Sequence, residues 1–73
     1  MMRVGALGAA ADIEGFALAG ALVLVAETDG DIATAWDTLP DDVGVLILTP
    51  AAAARLGARL EERSQLLPVV MPE

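Results

Sequence analysis

Four residue types that carry much of protein chemistry are missing from this chain: it has no cysteine, no histidine, no lysine and no tyrosine. Without cysteine there is no disulfide, no thiolate zinc site and no thiol nucleophile, and without histidine the usual metal ligand and near-neutral base are gone as well. The remaining hydroxyls are Thr28, Thr34, Thr38, Thr49 and Ser64. With no histidine or lysine to activate them, no nucleophile–base pair can be assembled. Phe16 and Trp36 are the only aromatic residues. No uncharged run exceeds twelve residues, well short of the ~20 apolar residues that cross a bilayer. Near the N-terminus one arginine, Arg3, is soon followed by Asp12 and Glu14, which is not the pattern of a signal peptide. A small domain without cysteines or any other staple reads as cytoplasmic.

What the chain does have is aliphatic surface and negative charge. Seventy-three residues leave room for one core, so residues 1–73 are expected to form a single domain. A domain of this size buries roughly 60% of the surface its unfolded chain exposes. The composition is 56% hydrophobic, rich in Val, Leu and Ala, which suits an aliphatic sheet with helices packed closely on it. Six Asp and five Glu against four Arg give a net charge of −7. Nucleic-acid binding requires clustered cations to neutralise phosphates, and docking on an anionic membrane requires the same, so this balance argues against both. It fits a soluble protein, or one that meets a basic partner.

The apolar pattern changes period along the chain. Met2–Leu7 is a short apolar run ending at Gly8 and reads as a buried strand. From Ala9 to Gly20 the residues Ile13, Phe16, Ala17 and Gly20 fall on one face of a helix, with Asp12 and Glu14 in the first turn and Gly20 placed as a left-handed cap. Leu22–Ala26 is a second strand. Thr28 and Asp31 have capping-box spacing before a helix bearing Ile32, Ala35, Trp36 and Leu39, ended by Pro40-Asp41-Asp42. Val43–Leu48 is apolar throughout, which predicts a central strand covered on both faces. Thr49 as N-cap and Pro50 at the first helical position open a third helix with Ala53, Leu56 and Leu60 inward. Leu67–Met71 is a final short strand, in which Pro68 is compatible with a strand start and not with a central position.

The order β-α-β-α-β-α-β implies parallel strands joined by right-handed crossovers. The expected fold is three-layer α/β: a four-stranded parallel sheet in the order 2-1-3-4 with three helices, Rossmann-like or receiver-like.

Each candidate site has a structural explanation beside it. Gly5 and Gly8 fall short of the three-glycine dinucleotide loop, whose third position is Ala11 at best, although Glu27 is close to the place of the ribose-binding acid. A receiver needs paired acids after its first strand, an aspartate after its third and a lysine. This chain has Leu7, Gly8 and Ala9 at the first place, Thr49 at the second and no lysine. Asp29/Asp31 and Asp41-Asp42 lie at helix ends, where aspartate serves as cap and turn. Trp36 is at core spacing and reads as a packed side chain, with an interface anchor as the alternative. Arg55, Arg59 and Arg63 repeat every four residues and read either as a solvated face, with Glu62 paired to Arg59, or as a partner-facing stripe.

Three stretches taken in order resemble the F subunit of V/A-type rotary ATPases. Glu14-Gly15-Phe16-Ala17-Leu18-Ala19-Gly20 is similar to that family's Gly-Phe-basic-Leu-Ala-Gly helix. Asp42–Thr49 is similar to its acid–aliphatic–Gly–aliphatic–Thr strand, and Leu67-Pro68-Val69-Val70-Met71-Pro72 to its closing Leu-Pro-Val strand. The motif residues Gly15, Phe16, Leu18, Gly20, Gly44, Thr49 and Pro68 read as packing: Phe16 against the sheet, and Gly44 where a helix crosses the central strand. The resemblance implies a non-catalytic central-stalk subunit that binds the coiled-coil D subunit, contributes to ATP-driven or ATP-forming ion transport, and needs no cofactor or metal. It also implies a location peripheral to the membrane through the ATPase assembly. Arg55, Arg59 and Arg63 are then the candidate partner interface, and self-association is expected in isolation.

Two features depart from the family pattern. Its acidic position soon after the first strand is Ala9 or Ala10 here, and its basic helix position is Ala17. The family usually continues into a C-terminal helical segment, whereas this chain stops at Glu73, so the expectation is a compact domain without that regulatory tail. The alternatives from other classes are a small Rossmann-like domain binding a nucleotide or anion near Gly8, or a degenerate receiver-like interaction module.

Overall fold

The computed structural model describes residues 2–72. Four strands, β1 (Arg3–Gly8), β2 (Leu22–Val25), β3 (Val43–Leu48) and β4 (Leu67–Val70), form one all-parallel sheet. The strand order is β2-β1-β3-β4, as the alternation of elements predicts. Helices α1 (Ala10–Ile13), α2 (Asp29–Asp37) and α3 (Pro50–Leu56) connect them. Right-handed crossovers put α1 on one face of the sheet and α2 with α3 on the other. No helix among the described residues is long and apolar enough to cross a membrane.

The two helix-start signals in the sequence act as caps. The Thr28 hydroxyl accepts from the Asp31 amide at 3.1 Å, and Thr49 accepts from the Ala52 amide at 3.2 Å, with Pro50 following at the start of α3. Each satisfies one of the donors that a helix N-terminus leaves unpaired.

The first crossover differs from the expected helix over residues 9–20. Only Ala10–Ile13 is α-helical, and Glu14–Ala19 winds as a 3₁₀ segment. A 3₁₀ winding returns to the same face every three residues. It therefore aligns Ile13 with Phe16 and turns Ala17 outward: Ile13 is fully buried, Phe16 half-buried, and Ala17 and Gly20 exposed. Gly20 ends the segment at φ 85°, a left-handed conformation that a Cβ disfavours. The third helix is also shorter than its pattern suggests. It breaks at Gly57, whose φ is 50°, and continues as a 3₁₀ segment, Gly57–Glu62.

Alternation along the strands sorts the sheet into two faces. Leu7, Leu46 and Leu48 face α2 and α3 and form the main core with Ala26, Ile32, Trp36, Leu39, Ala52 and Leu56. The opposite face carries Val4 and Ala6 of β1, Val45 and Ile47 of β3, and Leu67 and Val69 of β4, which are register partners across the ladder. α1 and the Glu14–Ala19 segment pack on β1 and β2. The β3–β4 part of this face has no such layer: Val45 and Ile47 are only half-buried, and Val4, Leu67 and Val69 are 42%, 60% and 44% exposed. Full coverage of both faces of β3, expected from its unbroken apolar sequence, is not what the fold provides.

Candidate functional site: strand ends, arginine row and sheet face

In open parallel sheets, ligands bind in the crevice at the carboxyl ends of the strands, where the chain leaves two neighbours in opposite directions. Here that point lies between β1 and β3, at Gly8, Ala9 and Thr49. The crevice is filled from within. Thr49 is 5% exposed, and its side chain lies so close to Gly8 that a Cβ there would overlap its Cγ2 and sit 2.8 Å from its Oγ1. The close approach of the Thr49 side chain by itself accounts for a glycine at position 8. The first amide of α1, the donor an anion would seek, instead donates to the Glu27 carboxylate at 3.1 Å. Glu27, which the dinucleotide reading places on a ribose, bonds the α1 terminus. A four-residue helix offers little further dipole.

Two further carboxylates are engaged within the fold. Asp42 forms a two-pronged pair with Arg3 at 2.8 and 3.2 Å. Asp31 accepts from the Glu27 amide at 3.3 Å. Among the described residues no group of three or more acids converges in a geometry that could hold a metal ion. An open cleft of about 610 Å³ lies at the opposite, amino end of the strands, between Met2, Asp41, Asp42, Glu62 and Gln65. It is on the wrong side of the sheet for strand-end ligand chemistry.

The arginine row faces α2. Arg55 lies 3.8 Å from Asp29 at the start of that helix, Arg59 bonds Asp37 at its end, and Arg63 reaches beyond. Arg63 donates to the carbonyl of Trp36 at 2.9 Å, which also accepts from the Leu39 amide at 3.3 Å, and to the carbonyl of Leu39 at 3.1 Å, just past the end of α2. Its guanidinium stands 5.0 Å from the Trp36 ring centroid, and Asp41 is 3.8 Å away. Glu62 accepts from the indole Nε1 of Trp36 at 3.4 Å, so the one tryptophan, 1% exposed, has its polar atom paired. The hydrogen bond to Asp37 pushes the Arg59 guanidinium above its ordinary pKa. Arg59 and Arg63 tie the segment after α3 to α2 and to the turn that follows it, while Arg55 stays on the solvated surface with only a long pair to exposed Asp29.

The remaining motif residues are dispersed. Gly15 has nothing within 4 Å of an added Cβ, and Leu18 is 94% exposed. At Gly44 the nearest neighbour of an added Cβ is the Met2 side chain, where the sequence suggests a crossing helix. Pro68 lies in the edge strand β4. Met71 N–H donates to the Leu48 carbonyl at 2.8 Å, so residues of the same parity point their amides at β3. By alternation, Pro68 has its missing N–H on the outer edge, where no ladder bond is lost. What sequence reasoning misses is the bare half of the sheet face; the signal for it is an apolar strand with too few helices to cover it.

No family model and no curated protein matches the chain. Among solved structures, it is similar to the F subunit of the V-type ATP synthase from Archaeoglobus fulgidus, with a TM-score of 0.61 and 24% sequence identity. The match covers 97% of this chain and 98% of that one. The likeness is one of fold, and it extends over nearly the whole of both chains.

Proposed function

We propose that the chain is a non-catalytic component of the central stalk of a V/A-type rotary ATPase, in the place of the F subunit. It acts by binding a coiled-coil stalk subunit similar to the D subunit of such assemblies. The observation that carries this reading is the fold likeness to the F subunit of a V-type ATP synthase over essentially both full lengths, joined to the three ordered stretches of sequence. The closed strand-end crevice supports it: Thr49 and Glu27 occupy the positions where a nucleotide phosphate would dock. In this role the sheet is a rigid mount, no bond is made or broken within the chain, and any contact with the membrane is indirect, through the assembly. Arg59 and Arg63 contribute by fixing the helical layer, and the partner binds elsewhere.

The test is co-expression with the coiled-coil stalk subunit of the same organism, followed by size-exclusion chromatography, together with calorimetric titration of the isolated chain with ATP and NAD. A stoichiometric complex and flat titrations are expected. Micromolar ATP or NAD binding would replace this reading with the strand-end nucleotide site.

A further inference from the structure

The bare half of the α1-side sheet face has three properties that together define what it would accept. It is apolar: Val4 at the amino end of β1, Val45 and Ile47 of β3 and Leu67 and Val69 of β4 lie on one side of the sheet. The layer formed by α1 and the Glu14–Ala19 segment packs on β1 and β2, leaving these residues half-buried or exposed. It shares its side of the sheet with negative charge: Asp12 and Glu14, on the crossover that packs on β1 and β2, make no ion pair among the described residues. And it lacks compensating cations, because Arg55, Arg59 and Arg63 lie with α2 and α3 on the other face and Arg3 is paired with Asp42.

The neighbouring edge does not invite strand pairing. Along the outer side of β4, Pro68 and Pro72 have no N–H and flank Val70, so the edge is blunted against adding a fifth strand. A second copy is also disfavoured, since each carries a net charge of −7 and would bring its own acids to the same place. The face, in contrast to the edge, has the width of a helix. Two strands, β3 and β4, each about 4.8 Å wide, present a strip close to the roughly 10 Å diameter of one helix. A doubly wound sheet normally carries helices across both faces, and this place is the unfilled one.

We infer that the Val4–Val45–Ile47–Leu67–Val69 face docks a basic amphipathic helix from a partner, apolar stripe down and Lys/Arg toward Asp12 and Glu14. This deepens the stalk-binding reading by giving it a surface, and depends on that reading only for the partner's identity.

Two probes separate the two ideas: the coiled-coil stalk subunit of the same organism, and a designed Leu/Lys amphipathic helix of about five turns with a Leu/Glu counterpart as control. Each is titrated into ¹⁵N-labelled chain, and into L67D, V69D and, as control, V70D, which changes an exposed residue on the other face of the same strand. Retained far-UV circular dichroism checks folding. Docking predicts amide shifts centred on β3 and β4 with the Leu/Lys helix, none with Leu/Glu, and a weakening of at least about tenfold in L67D and V69D, because a carboxylate would be desolvated against the stripe. V70D should stay within about threefold, as expected for a substitution outside the contact. Non-specific attraction gives the opposite sign, since every added Asp would strengthen it. Shifts spread over all acidic residues, tighter binding by L67D, equal loss in V70D, or a symmetric dimer through this face would overturn the inference. Leu/Lys binding at the face without stalk-subunit binding would remove the family reading and leave the face standing. Stalk binding unaffected by L67D and V69D would do the reverse.

Discussion

Replacing Arg63 by alanine tests whether that side chain is an internal clamp. The side chain gives two charge-assisted hydrogen bonds to the carbonyls of Trp36 and Leu39, and a guanidinium over the Trp36 ring. Bonds to a charged partner are worth about 1.5–3 kcal/mol each when buried, and the ring contact adds about 0.5–1 kcal/mol. The Arg63 side chain is 26% exposed, so water replaces part of each loss, and the 3.8 Å pair with exposed Asp41 adds little. The net expectation is about 2–3 kcal/mol. A 73-residue domain has roughly 4–11 kcal/mol to lose, so the midpoint should fall by about 10–20 °C. Arg63→Lys keeps the charge but cannot fork, and should lie between the two. Arg55→Ala, which breaks only an exposed pair with Asp29, should lose no more than about 0.5 kcal/mol. The assay is urea unfolding followed by the fluorescence of Trp36, the only tryptophan. If Arg63→Ala unfolds within about 0.5 kcal/mol of Arg55→Ala and the native emission is unchanged, the clamp does not exist.

Further substitutions probe the strand ends and the first crossover. Gly8→Ala drives a Cβ into Thr49 and should cost about 1–3 kcal/mol. In the double variant with Thr49→Ala, at least about 1 kcal/mol of that should be recovered, and strict additivity of the two in urea melts would mean the close approach is absent. Glu27→Ala removes the acceptor of the Ala10 amide, so hydrogen exchange at Ala10 should quicken, with a stability loss of about 0.5–1.5 kcal/mol; unchanged protection would show that the carboxylate does not hold the α1 terminus. Gly20→Ala forces a side chain into a left-handed turn at φ 85° and should lower the thermal midpoint by the equivalent of about 1 kcal/mol. Gly15→Ala, with open space around it, should change it by less than about 0.5 kcal/mol. The opposite ranking would contradict this course of the backbone.

Elements whose pattern depends on near neighbours are readable in the sequence. Four apolar runs separated by helical spacing are enough for a parallel sheet, and the caps at Thr28 and Thr49 are contained within four residues. Contacts between distant segments are not readable. That Arg55 and Arg59 match the acids at the two ends of α2, and Arg63 the carbonyls after it, depends on segments lying side by side, and neither segment alone reveals it. Glu27 bonding Ala10, seventeen residues away, is of the same kind. The first crossover misleads because Ile13 and Phe16 suit both a period of 3.6 and one of 3.0, and only tertiary packing chooses between them. The apolar run of β3 suggests a doubly covered strand because composition registers hydrophobicity and is silent on which segment provides the cover.

The position of β1 has a kinetic consequence. Of the four strands it is synthesised before the others, and it ends in the middle of the sheet with β2 on one side and β3 on the other. Its pairing with β3 joins Arg3 to Val43, so the central ladder must wait until more than half the chain has been made. A lone parallel pair of β1 and β2 has little to hold it, and non-local parallel pairing is slow to nucleate. The nascent chain therefore holds no stable partial sheet on the ribosome. It should acquire protease resistance in one late step once β3 has emerged, leaving its unshielded valines in a chaperone's keeping until then.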